Sequence, residues 1–258
     1  MEPELDDEQR ATGWQRVGAA CGIAAVLALV AATLIVPQPP KADASTGKIL
    51  AYYIDHRHSL LFAQWLTGLG TALFLWFVGS LRGAWAQEPG SASELSAVAF
   101  GGGVVLAAGA LAGTGLNLTL VYLARSVQNT TDLVRALYIG QALTLTLIFF
   151  AAAVFLAGGG LLIRRLGATW LGGFGVLLAV FDLLAAGAIS DFKGVRSPTG
   201  PLPLAAFAGF LLWVFATCVI ILTRLGRGED EEIDEILEEE DAEAAPTLPT
   251  VPAESPSD

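Results

Sequence analysis

Residues 176–187 of the chain read VLLAVFDLLAAG, an apolar run that contains one aspartate, Asp182. The run belongs to a longer apolar segment, residues 169–190. A segment of this length, coiled as an α-helix, crosses the roughly 30 Å hydrocarbon core of a bilayer and satisfies its own backbone hydrogen bonds. The stretch therefore predicts a membrane-spanning helix with a carboxyl group inside the membrane.

Five further segments have a similar length and composition. The six predicted spans are residues 17–36, 59–81, 97–122, 136–163, 169–190 and 204–223. The chain is 54% hydrophobic and 15% charged with a mean hydropathy of +0.60, on the apolar side of soluble proteins. We predict an all-α fold: a polytopic transmembrane bundle of six helices over residues 17–224, with a cytoplasmic N-terminal segment over residues 1–16.

The negative charge is concentrated at the C-terminus. Residues 225–258 contain 13 acidic residues and one basic residue, whereas the rest of the chain has 12 acidic and 13 basic residues. Ile233, Ile236 and Leu237 have the spacing of one apolar stripe on an anionic helix, and a Pro-rich stretch follows. We predict a disordered acidic C-terminal tail that is either simply solvated or a docking site for a basic cytoplasmic protein.

Arginines at the ends of the predicted spans indicate the orientation of the bundle. Those on one side are Arg16, Arg82, Arg164, Arg165 and Arg224. Each side has seven basic residues in total, but those on the other side lie more dispersed in longer connections. Because cytoplasmic loops carry the excess of Lys and Arg near the membrane, we expect a multi-pass plasma-membrane protein with both termini in the cytoplasm.

Four strongly polar residues lie inside the predicted spans: Gln64, Asn117, Gln141 and Asp182. Because consecutive spans run in opposite directions, all four lie toward the side opposite the arginines. An ionised Asp at the centre of a membrane helix costs about 2.5–3.5 kcal/mol on insertion scales. We therefore expect Asp182 to face the interior of the bundle with a carboxyl group that is protonated or shares a proton.

Two hypotheses account for these four residues, which we call the polar cluster. In the structural hypothesis, an amide of Gln64, Asn117 or Gln141 hydrogen-bonds the Asp182 carboxyl and holds neighbouring helices together. In the functional hypothesis, the cluster lines a pocket in which Asp182 binds a proton, a cation or a small polar ligand. The hypotheses differ in whether Asp182 is paired within the chain.

Asp55, His56 and His58 stand at the predicted outer mouth of the second span, after a helix that we expect to begin at Ser45 and to lie at the membrane interface. On a helix, His56 and His58 point to different sides, and only Asp55 and His58 share a face. These two residues are too few for a structural zinc site, which needs four ligands. We therefore predict no metal site and expect a helix cap or a contact with lipid headgroups.

The sequence carries no Ser-His-Asp set, phosphate-binding glycine loop or CxxC pair, and no basic patch. We expect no enzymatic activity, no cofactor and no nucleic-acid partner, and the lipid bilayer is the expected environment. Gly109 and Gly113 form a GxxxG pair in the third span. This pair predicts close helix packing within the chain or, as the alternative, a homodimer.

Residues 52–82 read YYIDHRHSLLFAQWLTGLGTALFLWFVGSLR, and residues 97–111 read AVAFGGGVVLAAGAL. Both stretches resemble an uncharacterised family of multi-pass integral membrane proteins of actinobacteria. The resemblance covers about residues 17–224 and leaves out the acidic tail. It implies six membrane helices, and it brings no activity, substrate or catalytic residue with it.

The sequence thus predicts an integral membrane protein whose polar cluster is either structural or a site for a small ligand. A proton-coupled or small-solute permease that works through Asp182 is the second hypothesis. A membrane scaffold that recruits a basic partner through the acidic tail is the third.

Overall fold

The computed structural model describes residues 2–41, 43–85, 91–126, 131–165, 167–190, 197–198 and 200–244. Over these ranges the chain forms seven α-helices and no strand. The helices are α1 (Glu2–Ile35), α2 (Thr46–Asp55), α3 (Arg57–Trp85), α4 (Ser91–Ser126), α5 (Thr131–Arg165), α6 (Thr169–Ala186) and α7 (Pro201–Ala244). The predicted all-α fold is confirmed.

Six of these helices are long and apolar enough to cross a membrane. The spans are Gly13–Ile35, Arg57–Gly83, Ala92–Arg125, Asp132–Arg165, Thr169–Ala186 and Pro201–Arg224. Five of them start earlier than predicted, because the helix begins before the apolar run. The fifth span ends earlier, at Ala186, where a 3-10 helix begins at Gly187, a residue type that weakens an α-helix. The chain is a multi-pass membrane protein.

The six spans form a closed ring. Each span packs against the next one along the chain, in the order α1, α3, α4, α5, α6 and α7, and α7 returns to pack against α1. The remaining helix, α2, is too short to span and packs on α3, α4 and α5. All six spans therefore share one interior.

The two ends of the ring differ in their side chains. We call one the tyrosine end, because α2 packs there with Tyr52 and Tyr53 against Tyr138 of α5. We call the other the arginine end, because Arg82 and Arg164 lie near the last turns of their helices there. Since α1, α4 and α6 run toward the tyrosine end and α3, α5 and α7 run away from it, the depth of any residue follows from its position in its helix.

Helix α2 begins directly after Ser45, as predicted. Three of its apolar side chains, Ile49, Tyr52 and Tyr53, are buried against residues of α3, α4 and α5, whereas Ile54 is exposed. The helix therefore covers the ends of three spans, and its position at the membrane interface stays a prediction.

Aromatic side chains fill the ring toward the arginine end. Phe74, Phe155, Phe210 and Trp213 come from α3, α5 and α7, and we call them the aromatic layer. Their contacting ring centroids lie between 5.4 and 5.9 Å apart, within the range of favourable aromatic pairs. The Trp213 indole Nε1 also donates a hydrogen bond of 3.1 Å to the carbonyl oxygen of Leu171 on α6. The layer closes the interior on this side.

Glycines bring helix backbones into contact beside the aromatic layer. A Cβ atom added at Gly172 of α6 would lie 2.5 Å from the carbonyl oxygen of Gly160 on α5. An added Cβ at Gly102 of α4 or Gly158 of α5 would also meet backbone atoms of the facing helix, at 2.6 and 2.9 Å. Only glycine permits these approaches, because it has no Cβ atom.

Gly109 and Gly113 also face α5 within the same chain. A Cβ atom added at these positions would lie 2.5 Å from Ile148 Cγ2 and 2.9 Å from Leu145 Cδ2. Packing inside the chain therefore accounts for the GxxxG pair. A homodimer through this pair stays a prediction.

Helix α7 continues without a break from the sixth span to Ala244. The first part of the acidic tail is thus helical, where the sequence predicts a local anionic helix. The Pro-rich residues 245–258, which we predicted to be disordered, lie outside the described residues.

The adjacent glycines Gly172 and Gly173 test the packing of α5 on α6. We expect Gly172→Ala to lower the free energy of unfolding by about 1–3 kcal/mol, because its methyl group overlaps the backbone of α5. Gly173→Ala is the matched control, since nothing lies within 4 Å of an added Cβ there. Unfolding in detergent micelles, followed by circular dichroism, measures both. Equal stability of the two variants would contradict this packing.

Candidate functional site

A cavity of about 210 Å³ lies inside the ring, between the aromatic layer and the tyrosine end. Each of the six spans contributes to its wall. At about 30 Å³ per molecule, this volume is that of about seven waters. The polar residues on the wall are Thr33, Gln64, Thr67, Thr71, Thr114, Gln141 and Asp182.

Asp182 reaches the cavity because of the periodicity of α6. Leu171, Gly175, Leu178, Asp182 and Ala185 follow one another at intervals of four and three residues, and all five are buried. Residues with this spacing lie on one face of a helix. The inward face of α6 therefore carries Asp182 in a position that an apolar residue would otherwise occupy.

The Asp182 carboxyl group is fully enclosed, with 0% of the residue exposed. Neither carboxyl oxygen has a hydrogen-bonding partner among the described residues. Buried polar groups are nearly always paired, because an unmade hydrogen bond in the interior is costly. Among the described residues, Asp182 is the acid that lines this cavity, and its carboxyl group has no such partner.

Gln141 lies on the same wall and connects the cavity to α2. The Tyr53 hydroxyl donates a hydrogen bond of 3.1 Å to Gln141 Oε1. Burial raises the pKa of Tyr53 above its usual value, so this hydroxyl keeps its proton and acts as a donor. One residue of the cavity wall is thereby fixed by a helix that lies outside the ring.

Two more tyrosines bind the connection between α1 and α2 at the tyrosine end. Tyr52 donates a hydrogen bond of 2.8 Å to the carbonyl oxygen of Pro37, and Tyr138 donates one to the carbonyl oxygen of Pro40. These prolines carry no backbone N–H, but their carbonyl oxygens remain strong acceptors. The tyrosine hydroxyls therefore hold α2 and the preceding connection in place.

The structure brings three residues of the polar cluster to one cavity wall: Gln64, Gln141 and Asp182. Asn117 does not line the cavity. It is buried in α4, nearer the tyrosine end, and its Oδ1 has no hydrogen-bonding partner among the described residues. The hydrogen bond to Asp182 that the structural hypothesis requires is not formed within the described part of the chain.

The proposed mouth residues lie apart from the cavity wall. Asp55 ends α2, His56 separates α2 from α3, and His58 is in the first turn of α3. His56 Nδ1 lies 3.0 Å from the Tyr52 carbonyl oxygen, while Asp55 and His58 are exposed. The described residues contain no group of three or more potential metal-binding side chains. The three residues thus form the junction of two helices at the tyrosine end.

The threonines of the wall were not predicted from the sequence. Gln64, Thr67 and Thr71 are spaced by three and four residues, which places them on one face of α3, and Phe74 continues that face. A search for weakly polar residues in register with Gln64 would have found them. Threonines are common inside membrane helices, where they bond to their own backbone, so they carried no signal as single residues.

No family model, no curated protein and no solved structure matches this chain. The resemblance to an actinobacterial membrane-protein family therefore stays a prediction. A function for the cavity is therefore inferred from the positions and chemistry of its own residues.

Replacing Asp182 by an apolar residue separates the two hypotheses for the polar cluster. We expect Asp182→Leu to raise the free energy of unfolding by about 1 kcal/mol or more, because it removes an unpartnered buried polar group. Tyr53→Phe is the opposite case and should lower the free energy of unfolding by about 1 kcal/mol, since it breaks the bond to Gln141. Unfolding of both variants in detergent checks the signs. Strong destabilisation by Asp182→Leu would contradict an unpartnered carboxyl.

Proposed function

We propose that the protein is a carrier that binds a small polar solute in this cavity and moves it across the membrane in exchange for a proton on Asp182. The observation that carries the proposal is the buried carboxyl group on the cavity wall with no hydrogen-bonding partner among the described residues. Ionisable residues inside membrane bundles commonly mark solute and proton pathways. The proposed function is binding and transport, and it involves no catalysis.

A proton couples to the solute because both use the same carboxyl group. With the cavity empty, a proton neutralises Asp182, which avoids an isolated charge in a low-dielectric interior. When a solute supplies hydrogen bonds or positive charge to the carboxylate, the proton leaves. Solute binding and proton release are therefore linked by competition for one site.

The aromatic layer supports an alternating-access cycle for this carrier. In the structure, Phe74 and Phe210 belong both to the layer and to the cavity wall, so the layer separates the cavity from the arginine end. Transport requires this layer and the tyrosine end to open in turn, as happens when parts of a carrier rock about a central site. The contacts of α2 with the ring are the natural closure at the tyrosine end.

We further propose that the arginine end faces the cytoplasm of the cell and that the membrane is the plasma membrane. Arg82, Arg164 and Arg224 lie within a residue or two of the span ends on this side. Positive charge this close to the membrane favours the cytoplasmic side. In this orientation the cavity lies in the outer half of the bilayer.

The acidic tail supports a second, independent function as a scaffold. Helix α7 runs on past the sixth span, so the first part of the tail projects from the ring as a continuation of the same helix. This tail would bind a basic cytoplasmic protein through its 13 acidic residues. Deleting residues 229–258 should abolish such binding without changing transport.

Reconstituted protein tests the carrier. We expect a low-molecular-weight cell extract, added outside proteoliposomes, to drive proton movement that an enclosed pH-sensitive dye reports. Asp182→Asn should reduce the initial rate at least tenfold, because an amide cannot exchange a proton at this site. Asp132→Asn is the matched control, since Asp132 is exposed in the first turn of α5, away from the cavity. A rate that is equal in wild type and Asp182→Asn would rule out a proton carrier of this kind.

A further inference from the structure

The charge of the cavity wall restricts the solutes that it can hold. Among the described residues that line the cavity, Asp182 is an acid and no Lys, Arg or His is present. An ionised carboxylate in this position has no positive side chain beside it. A cationic solute would supply the missing charge, whereas an anionic solute would add a second negative charge in a low-dielectric interior.

Three threonines of the wall offer hydrogen-bond acceptors to the cavity. Thr33, Thr67 and Thr71 each donate their hydroxyl proton to a carbonyl oxygen four residues earlier in their own helix, at 2.9, 2.8 and 2.7 Å. Their oxygen lone pairs remain free to accept, and a carboxylate can only accept. A solute with several N–H donors therefore finds acceptors at Asp182 and at these three threonines, while the amides of Gln64 and Gln141 can bind its other polar groups.

The rest of the wall is apolar and aromatic. Phe74, Phe149, Phe207 and Phe210 all line the cavity, and the rings of Phe74 and Phe210 lie 5.7 Å apart at its floor. Aromatic faces attract organic cations and also pack against apolar groups. A bare metal ion would find no ligands on these four side chains and would leave most of the volume empty.

The volume sets the size of the solute. At about 210 Å³ the cavity is smaller than the roughly 300–1,000 Å³ of sites for drug-sized ligands. We infer that the solute is a small organic amine in its ammonium form, with its N–H groups directed at Asp182 and the threonine oxygens and its apolar body against the phenylalanines. This inference rests on the proposed carrier function and names its substrate class.

The exchange that follows is balanced in charge. The protonated Asp182 releases one proton as one ammonium ion binds to the carboxylate, so the occupied and the empty site both carry no net charge. Neither form of the carrier places an unpaired charge in the bilayer, where such a charge is costly.

Three probes of one shape test this substrate class on the full chain in lipid nanodiscs at neutral pH. They are 2-phenylethylamine, which is an ammonium ion at this pH, the neutral 2-phenylethanol and the anionic phenylacetate. Isothermal titration calorimetry gives the affinities, and empty nanodiscs correct for partitioning into lipid. We expect the amine to bind at least tenfold more tightly than the alcohol, and phenylacetate to show no saturable binding, because only the amine forms charge-assisted hydrogen bonds with Asp182.

Variants then assign the binding to the carboxyl group. Asp182→Asn should weaken amine binding at least tenfold, and Asp132→Asn should leave it unchanged. The affinities of the three probes for the wild-type protein test the preference for an ammonium ion even if Asp182→Asn does not fold. Equal affinity for the alcohol and the amine, amine binding that survives Asp182→Asn, or no amine binding at all would each overturn the inference.

The outcomes also separate the substrate class from the carrier itself. If the cell extract drives proton movement that depends on Asp182 while the amine does not bind, the carrier stands and the ammonium inference is wrong. If the amine binds at Asp182 but neither it nor the extract moves protons, the chemistry of the site stands and the carrier is wrong.

Discussion

Close contact between helix backbones holds this ring together, because apolar side chains gain little by leaving lipid for one another. Those contacts are concentrated toward the arginine end. At Gly102, Gly158, Gly160 and Gly172, an added Cβ would meet backbone atoms of the facing helix. At Gly109 and Gly113, nearer the tyrosine end, it would meet the side chains of Ile148 and Leu145 instead. The backbones of α4, α5 and α6 therefore approach each other closely toward the arginine end, whereas side chains separate α4 from α5 toward the tyrosine end.

This difference in spacing divides the interior. In the half where α4, α5 and α6 pack backbone to backbone, the aromatic layer occupies the centre, and Trp213 fits against Gly159 and Gly175. In the other half the side chains keep the helices apart, and the cavity remains. Asp182 lies in the second half because it is only four residues from the end of α6. The enclosed acid therefore lies at the border of this cavity.

Much of this arrangement can be read from the sequence. The length of six apolar runs predicts the spans, because a fixed hydrocarbon thickness requires a fixed number of helical residues. The alternating direction of the spans predicts the depth of Gln64, Gln141 and Asp182, which share one wall in the structure. Depth alone does not give the angle at which a side chain leaves its helix. Asn117 has the right depth but does not line the cavity.

The features that the sequence did not predict depend on ring closure. The aromatic layer joins α3, α5 and α7, which are not consecutive spans. No local spacing indicates that such residues meet. The same is true of α2, whose apolar side chains read as a membrane-facing surface until the ends of α3, α4 and α5 are seen beneath them. Local patterns give the helices and their inward faces, and tertiary packing decides which faces meet.

The central claim is that the Asp182 carboxyl group has no protein partner and is available to water or a small molecule in the cavity. A high-resolution cryo-electron microscopy map of the protein in lipid nanodiscs tests this claim most directly. The account predicts density for water or a bound small molecule within hydrogen-bonding distance of the Asp182 oxygens, in a cavity bordered by Gln64 and Gln141. A carboxyl group bonded directly to Asn117 or to either glutamine, in a collapsed and dry interior, would contradict it.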